Sequence, residues 1–440
     1  MRKHRFGELP PGVTDPLAFL WRSPLQDGPM TFEIPQRNSS LPTLRHLCET
    51  QPDRLVDDDE EATGIAFIGC GYVADFYMAT LRNYPELSLR GVYDSDRERV
   101  RKFSERHGVR SYASLDELLA DDSVSIAVNL TNPRSHYEVS RRCLEAGRHV
   151  YSEKPFAEDL RQATELVEFA EQTGLTLSSA PCSLLGETAQ TMWRALRRDV
   201  IGQPRLVYAE LDDGAVHQMN FRSWASSSGA PWPYLDEFRV GPTLEHAGYY
   251  LTWLTAFFGP ASEVMSYGRL IQPDKLPDAP PSEFATDFTC ACIRFHSGVV
   301  ARLTCSTVAP EDHSLQIVGD DGVLSVSECW DYGAQIKVRK RTEMSESTPH
   351  YLTEPEQLPL VRPADYPFRY ERYNGHDMDF SRGIADMAEA VRNGVSPRLT
   401  ARHALHVLEI TLAISSSEGA AHTVLQTKFD ELEPMAWAAS

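Results

Sequence analysis

The sequence has no excess of positive charge, no long apolar run and no paired C-x-x-C motifs. Its formal net charge is −20, from 43 Lys and Arg against 63 Asp and Glu, so most of the surface would repel a polyanion such as a nucleic acid. The most apolar run, YYLTWLTAFFG, is about half of the roughly 20 residues that a membrane-spanning helix needs. The eight cysteines lie mostly in apolar contexts typical of reduced, buried thiols. We therefore expect a cytoplasmic protein that binds neither nucleic acid nor a membrane.

The 440-residue chain is too long for one core of typical size, and its pattern changes twice. Residues 1–62 are rich in proline and weakly periodic, which predicts an N-terminal extension or arm. Residues 63–181 alternate short apolar runs with helical patterns, which predicts an α/β domain with a doubly wound parallel sheet of the Rossmann type. Residues 182–440 carry successive strand-like runs and late amphipathic helices. They predict an α+β domain for substrate binding and oligomerisation, built on a large, mostly antiparallel open sheet.

A G-x-G-x-x-A turn lies between the first apolar strand and the helix that follows it. Gly69 permits the tight turn, Gly71 lets the backbone approach a pyrophosphate, and Ala74 lets the helix pack closely on the strand. Tyr72 and Val73 complete the turn, and the helix N-terminus offers unpaired N–H groups to an anion. This stretch predicts a dinucleotide-binding site.

An acidic residue at the end of the second strand is typical of the same site. Asp94 follows Gly71 by roughly 20 residues, where a carboxylate accepts hydrogen bonds from the ribose hydroxyls of the adenosine. A carboxylate repels a 2′-phosphate, so we expect NAD as the cofactor. Ser95, Arg97 and Arg99 lie close by in the sequence and leave NADP open.

Three segments, in this order, resemble the Gfo/Idh/MocA oxidoreductase family: FIGCGYVA, LTNPRSHYEVSRRCLEAGRHVYSEKP and GPTLEHAGYYLTWLTAFFG. The resemblance covers about residues 64–420. It implies an N-terminal dinucleotide-binding domain and a C-terminal domain whose open sheet makes the substrate pocket on one face and, in many members, a subunit interface on the other. Substrates in the family are usually sugars, sugar nucleotides or cyclitols. A homodimer or homotetramer is therefore expected.

The second of these segments carries the residues that the resemblance places beside the cofactor. Family members commonly read T-P-N-x-x-H where this chain has Thr-Asn-Pro. The lysine of the E-K-P triplet contacts both the cofactor region and the substrate oxygen in the family, and as a cation at neutral pH it would stabilise alkoxide character. The positions concerned are Thr131, Asn132, Pro133, His136, Glu153 and Lys154.

The third segment departs from the family pattern, which is D-x-G-x-H or D-x-A-x-H entering a helix. Here Glu245 stands for the aspartate and Tyr249 for the histidine that exchanges the proton. We expect Glu245 to hold Lys154 and Tyr249 to act as the acid or base. A shift of one residue would nominate Tyr250 and His246 instead, and His246 is placed to support either tyrosine on one helical face.

The loop before this segment is rich in aromatic residues. Trp232 and Tyr234 are the kind of side chains that stack on a sugar ring, and a plain surface loop with buried tryptophans is the competing interpretation. No metal site is expected.

The sequence thus predicts an NAD(P)-dependent oxidoreductase that transfers a hydride between nicotinamide and a secondary alcohol or ketone of a sugar, sugar nucleotide or cyclitol. Two alternatives stay open at this point. One is an NAD-dependent redox-elimination glycosidase, and the other is a catalytically inactive dinucleotide-binding regulatory protein.

Overall fold

The computed structural model describes residues 62–277, 279–342, 352–362, 377–415 and 418–440. The predicted N-terminal extension lies outside this part except for its last residue. Among the described helices, none combines the length and the apolar composition that crossing a lipid bilayer requires.

The first half of the described chain forms a parallel sheet with the strand order β2-β1-β3-β4-β5. Its central strands are buried along their whole length because helices cover both faces. Helix starts and stops follow local chemistry: Asp96 and Asp159 accept backbone N–H groups as N-caps, and Gly108 and Gly174 end their helices in the left-handed region. The elements are β1 (Thr63–Ile68), α1 (Ala74–Leu81), β2 (Leu87–Tyr93), α2 (Arg97–His107), α3 (Leu115–Leu119), β3 (Ile126–Asn129), α4 (Pro133–Glu145), β4 (His149–Ser152), α5 (Leu160–Thr173) and β5 (Leu177–Ser179).

The second half forms an open sheet with the order β13-β12-β11-β10-β6-β9-β8-β7-β14. Of its paired strands in the described residues, only β6 and β9 run parallel. The elements are α6 (Glu187–Arg197), β6 (Pro204–Asp212), α7 (Tyr234–Val240), α8 (Pro242–Phe258), β7 (Ala261–Arg269), β8 (Phe288–Phe295), β9 (Val300–Ser306), β10 (Leu315–Gly319), β11 (Gly322–Val326), β12 (Ile336–Lys340), β13 (Glu356–Leu358), α9 (Arg382–Asn393), α10 (Ala401–Ser415) and β14 (Gly419–Val424).

The two sheets confirm the predicted fold class. Helices α6, α8 and α10 cover one face of the open sheet. Trp253 and Tyr250 lie in the core between these helices and the sheet. Helix α8 begins directly after Gly241, which has φ +86° and lies so close to Ala285 that a side chain would clash. This turn brings the first turn of α8 to the carboxyl edge of the parallel sheet, where α/β folds bind their ligands.

Three features of the structure go beyond what the sequence predicted. Helix α7 interrupts the predicted aromatic loop, and β14 pairs with β7 at the edge of the open sheet. Helix α9, close to the C-terminus, packs Ile384 and Met387 into the core of the parallel sheet with Ile65 and Phe67. Residues from the predicted second domain therefore complete the core of the first.

Candidate active site

The glycine turn has the geometry that the sequence predicted. Gly69 has φ +102°, and a Cβ at that position would lie 2.5 Å from the carbonyl oxygen of Leu130. Gly71 has no atom within 4 Å of its Cβ position, so the backbone is open toward the cleft. Cys70 N donates a hydrogen bond of 2.8 Å to Asp94 Oδ2, which fixes the turn against the end of β2. The space over Gly71 and the adjacent start of α1 fit a pyrophosphate.

The far end of this turn carries both a carboxylate and a guanidinium group. Asp94 Oδ1 accepts a hydrogen bond of 2.8 Å from Asp96 N, and Nη1 of Arg99 lies 3.3 Å from Asp94 Oδ2. Ser95 lines the cleft beside them. Asp94 can therefore meet ribose hydroxyls while Arg99 offers a positive charge at the same place.

The loop after β3 is tied to its surroundings at two points. The ring of buried His136 lies between two carbonyl oxygens, 2.7 Å from that of Pro155 and 2.9 Å from that of Thr131. Burial lowers the pKa of His136. Asn132 caps α4 and donates a hydrogen bond of 2.5 Å to Asp236 Oδ2. The buried ring of His136 thus connects this loop to Pro155, the residue after Lys154.

A lysine–glutamate pair lies at the meeting point of β4 and α8. Nζ of Lys154 is 2.5 Å from Glu245 Oε2, and their side chains are 19% and 7% exposed. Burial alone would lower the pKa of Lys154, but the negative charge of Glu245 reverses that effect and raises the pKa above its ordinary value. Glu153 is held by Tyr77, whose hydroxyl donates 2.6 Å to Oε1, and by the backbone N–H of Lys154 at 3.0 Å. Lys154 is therefore a fixed cation.

The two candidate tyrosines have different surroundings. Tyr249 borders the cleft, and although Lys154 lowers the pKa of its phenol, burial raises it more, so the group is a hydrogen-bond donor. Tyr250 is fully buried and donates its hydroxyl hydrogen to the carbonyl oxygen of His313. Tyr250, predicted as a substrate contact, thus lies in the core because the next residue on a helix points about 100° away.

Of the two aromatic residues predicted from the loop before α8, only one lines the cleft. Trp232 lines the cleft. Tyr234 packs against Phe221 with ring centroids 5.1 Å apart, and its hydroxyl accepts 2.9 Å from Arg222. Tyr234 is not among the residues that border the cleft, because it begins helix α7 and turns toward the small aromatic cluster beneath it.

A strap across the cleft, defined here as residues 225–233, is fastened to α1. Asp75 in the first turn of α1 accepts hydrogen bonds from the hydroxyls of Ser227, at 2.8 Å, and Ser228, at 2.7 Å, and its carboxylate lies 2.6 Å from Nε2 of His107. Burial would raise the pKa of Asp75, but these hydrogen bonds lower it to about 2. The sequence did not suggest this contact, which joins residues more than 150 positions apart.

His246 lines the cleft and is the first member of a chain of hydrogen-bonded polar side chains. Its Nδ1 lies 2.6 Å from Asp213 Oδ2, and Asp213 Oδ1 lies 3.1 Å from Nε2 of His313. Nδ1 of His313 lies 3.0 Å from Glu328 Oε2. Sequence reasoning named only His246 from this set. The one available signal was that Asp213, His313 and Glu328 each stand beside the end of a strand of one sheet.

Most of the predicted site residues line a single cleft of about 600 Å³. In the described residues, no cluster of three or more His, Cys, Asp or Glu side chains is arranged to hold a metal ion. Three predicted site residues do not line the cleft: Tyr234, Tyr250 and Ala74, which packs in the core under the turn. The predicted residues along the cleft are Gly69, Gly71, Tyr72, Val73, Asp94, Ser95, Thr131, Asn132, Pro133, His136, Glu153, Lys154, Trp232, Glu245, His246 and Tyr249.

An open glycine turn on a Rossmann sheet, facing a charged lysine in the same cleft, defines a dinucleotide-dependent oxidoreductase. Residues 63–180 match the oxidoreductase family described as having an NAD-binding Rossmann fold, and residues 189–325 match the GFO/IDH/MocA C-terminal domain. The chain belongs to the Gfo/Idh/MocA family of NAD(P)-dependent oxidoreductases. The predictions of family, enzyme class and an NAD(P) cofactor are thereby confirmed.

Similar proteins include enzymes with different substrates. Trans-1,2-dihydrobenzene-1,2-diol dehydrogenase from Bos taurus is 24% identical over 270 residues, which are 60% of this chain and 74% of that protein. The structure of UDP-N-acetylglucosamine 3-dehydrogenase from Acidithiobacillus ferrooxidans has a TM-score of 0.60 and 20% identity, covering 80% of this chain and 96% of that one. A 3-ketoreductase from Actinomadura kijaniata, solved with NADP and TDP-benzene, has a TM-score of 0.62 and 21% identity, covering 81% and 97%. At this identity the structures support the fold.

Proposed function

We propose that the protein reversibly oxidises a secondary alcohol of a sugar, sugar nucleotide or cyclitol to a ketone. The observation that carries the proposal is the Lys154–Glu245 pair, which fixes an ammonium group in the same cleft as the open glycine turn. A nicotinamide bound in this cleft supplies the acceptor and donor for the substrate's hydride. Lys154 donates a hydrogen bond to the substrate oxygen and stabilises the negative charge that develops on it. Tyr249 donates a second hydrogen bond to that oxygen.

The charge of the cleft favours a neutral, hydroxyl-rich reacting group. Glu237, Glu245 and Glu153 all line the cleft around Lys154. Burial, followed by the charge of Glu245, raises the pKa of Glu237 well above its ordinary value, which favours the neutral carboxyl. Trp232 supplies an aromatic wall suited to the face of a sugar ring. These surroundings support a polyol over an anionic acid.

For the cofactor, we propose that NAD is preferred and NADP is accepted. Asp94 supports NAD because its carboxylate faces the ribose end of the glycine turn. Arg99 supports acceptance of NADP because its guanidinium offers a 2′-phosphate a positive charge beside that carboxylate. Fluorescence titration with both nucleotides tests this. Arg99→Leu should weaken NADP binding about tenfold and leave NAD binding within about twofold, and equal losses for the two would contradict the proposed role.

The outer face of the open sheet is the surface that we propose to pair with a second copy of this chain. Leu206 and Tyr208 on β6 and Met265 and Tyr267 on β7 are exposed on this face, and strands β9 and β8 lie between them. Exposed apolar side chains on one face of a sheet are typical of the centre of a homodimer interface. Met265→Glu should convert an oligomer to a monomer in light scattering. Val395→Glu, at an exposed apolar position after α9, is the matched control and should leave the mass unchanged.

The activity is tested with a panel of alcohols. Purified protein is mixed with NAD⁺ or NADP⁺ and with glucose, myo-inositol, UDP-N-acetylglucosamine or trans-1,2-dihydrobenzene-1,2-diol, and the absorbance band of reduced nicotinamide is followed. Turnover of at least one polyol is expected. Tyr249→Phe should lower it by about 10²-fold, while Tyr208→Phe, on the outer face of the sheet, should not. No turnover of any alcohol with either nucleotide would contradict the proposal.

A further inference from the structure

The cleft contains a second fixed side chain besides the Lys154–Glu245 pair. His246 and Asp213 face each other at 2.6 Å, with side chains 22% and 8% exposed. A carboxylate only accepts hydrogen bonds, so Nδ1 of His246 carries the hydrogen and donates it to Asp213. In the neutral ring the lone pair is then on Nε2. Nε2 has no hydrogen-bonding partner among the side chains that the structure describes, and the residue lines the cleft.

Asp213 is itself fixed from its other side. His313, which is nearly buried, places one ring nitrogen 3.1 Å from Asp213 and the other 3.0 Å from Glu328. Burial would lower the pKa of His313, but the two carboxylates raise it to about 10, so the ring is protonated and donates to both. Burial would raise the pKa of Asp213, and the two histidines lower it to about 2. Asp213 is therefore an ionised, doubly held acceptor for His246.

The His246–Asp213 pair can accept the proton that Lys154 and Tyr249 do not. Oxidation of an alcohol releases a proton as well as a hydride. Lys154 is a charged donor, and Tyr249 is a phenol whose pKa burial raises, so neither takes up a proton readily at neutral pH. A neutral imidazole with a free lone pair does.

We propose that Nε2 of His246 takes up the hydroxyl proton when the alcohol is oxidised and returns it when the ketone is reduced. Asp213 and His313 are the positioning residues that hold the ring hydrogen on Nδ1, so that the lone pair of Nε2 faces the cleft. The proposal rests on the function proposed above. In the oxidation the O–H bond breaks and its proton goes to Nε2. The electron pair of that bond forms the C=O bond, and the hydride leaves the carbinol carbon for the oxidised nicotinamide.

The first test removes the ring and supplies it again from solution. With the best alcohol of the panel, His246→Ala should lower kcat by about 10²-fold or more, and added imidazole should restore at least a tenth of the lost rate. His296→Ala, at an exposed histidine in the turn between β8 and β9, is the control and should keep full activity. A kcat of His246→Ala within threefold of the wild type, or a loss that imidazole does not relieve, would overturn the proposal.

The second test needs no substrate. Nitrogen NMR of the full chain with ¹⁵N-labelled histidine, assigned with His246→Gln, should show His246 protonated at Nδ1 and not at Nε2. Asp213→Asn should shift the proton toward Nε2 and lower kcat with little change in KM. An Nε2–H ring in the wild type would overturn the proposal. Failure of the wild type to oxidise any alcohol contradicts the proposed function, whereas turnover that survives in His246→Ala contradicts only the role of His246.

Discussion

Replacing Lys154 by methionine should abolish turnover and also destabilise the fold, because Glu245 would lose its partner. At the observed 2.5 Å, an effective dielectric constant of about 20 gives an attraction of about 7 kcal/mol, most of which offsets the cost of removing two charges from water. Removing one partner leaves that cost uncompensated. We therefore expect Lys154→Met to lower the free energy of unfolding by about 3 kcal/mol.

The double variant Lys154→Met/Glu245→Leu separates the two effects. With both charges gone, the stability should return to within about 1 kcal/mol of the wild type, while turnover stays absent because the cation at the substrate oxygen is missing. Urea unfolding gives the stability, and the alcohol panel gives the turnover. Lys337→Met, at an exposed lysine on β12, is the control for loss of a lysine as such. Near-wild-type turnover in either variant would refute the role of Lys154, and an unchanged stability of the single variant would refute the pairing.

Three further predictions follow from named contacts. Gly69→Ala should destabilise the protein by more than about 2 kcal/mol in thermal unfolding, because Gly69 has φ +102° and the new Cβ would clash with the carbonyl oxygen of Leu130. Gly71→Ala should fold normally and bind NAD more weakly. Equal stabilities of the two variants would contradict this prediction. Asp75→Asn should speed NAD dissociation in stopped-flow displacement by loosening the strap, and an unchanged rate would count against the fastening. The two neighbouring carboxylates raise the pKa of His313 from 6.5 to about 10, so its contribution to stability is complete below pH 6.5 and is lost as the pH rises toward 10. The difference in the free energy of unfolding between the wild type and His313→Gln should therefore shrink between pH 6.5 and 10. A constant difference would be evidence against the ion pairs of His313.

The fold was predictable where the signal is local. The run GIAFIG is buried on both faces, so it reads as a central parallel strand without any knowledge of its neighbours. Strand β14 alternates between half-buried and exposed residues, so its short pattern carries little signal, and pairing with β7 decides its conformation. Helix α9 was predicted, but its place against the parallel sheet depends on contacts with residues about 300 positions away. The domain boundary at 181 and the oligomeric state stay predictions.

The candidate site divides in the same way. Gly69, Gly71 and Asp94 belong to one strand–turn–helix–strand unit, so spacing alone predicts their geometry. His246 lies on α8, Asp213 directly follows β6, and His313 lies just before β10. Each of these side chains is ordinary in its own segment, and only the folded sheet brings them within hydrogen-bonding distance.

The central claim is that the dinucleotide and the reacting alcohol meet at Lys154. The most direct test is a crystal structure of the protein with NADH and a polyol, which together form an unreactive complex. We expect Nζ of Lys154 within hydrogen-bonding distance of the hydroxyl on the carbon that faces the nicotinamide. A nicotinamide bound outside this cleft, or a facing hydroxyl that Lys154 does not contact, would contradict the claim.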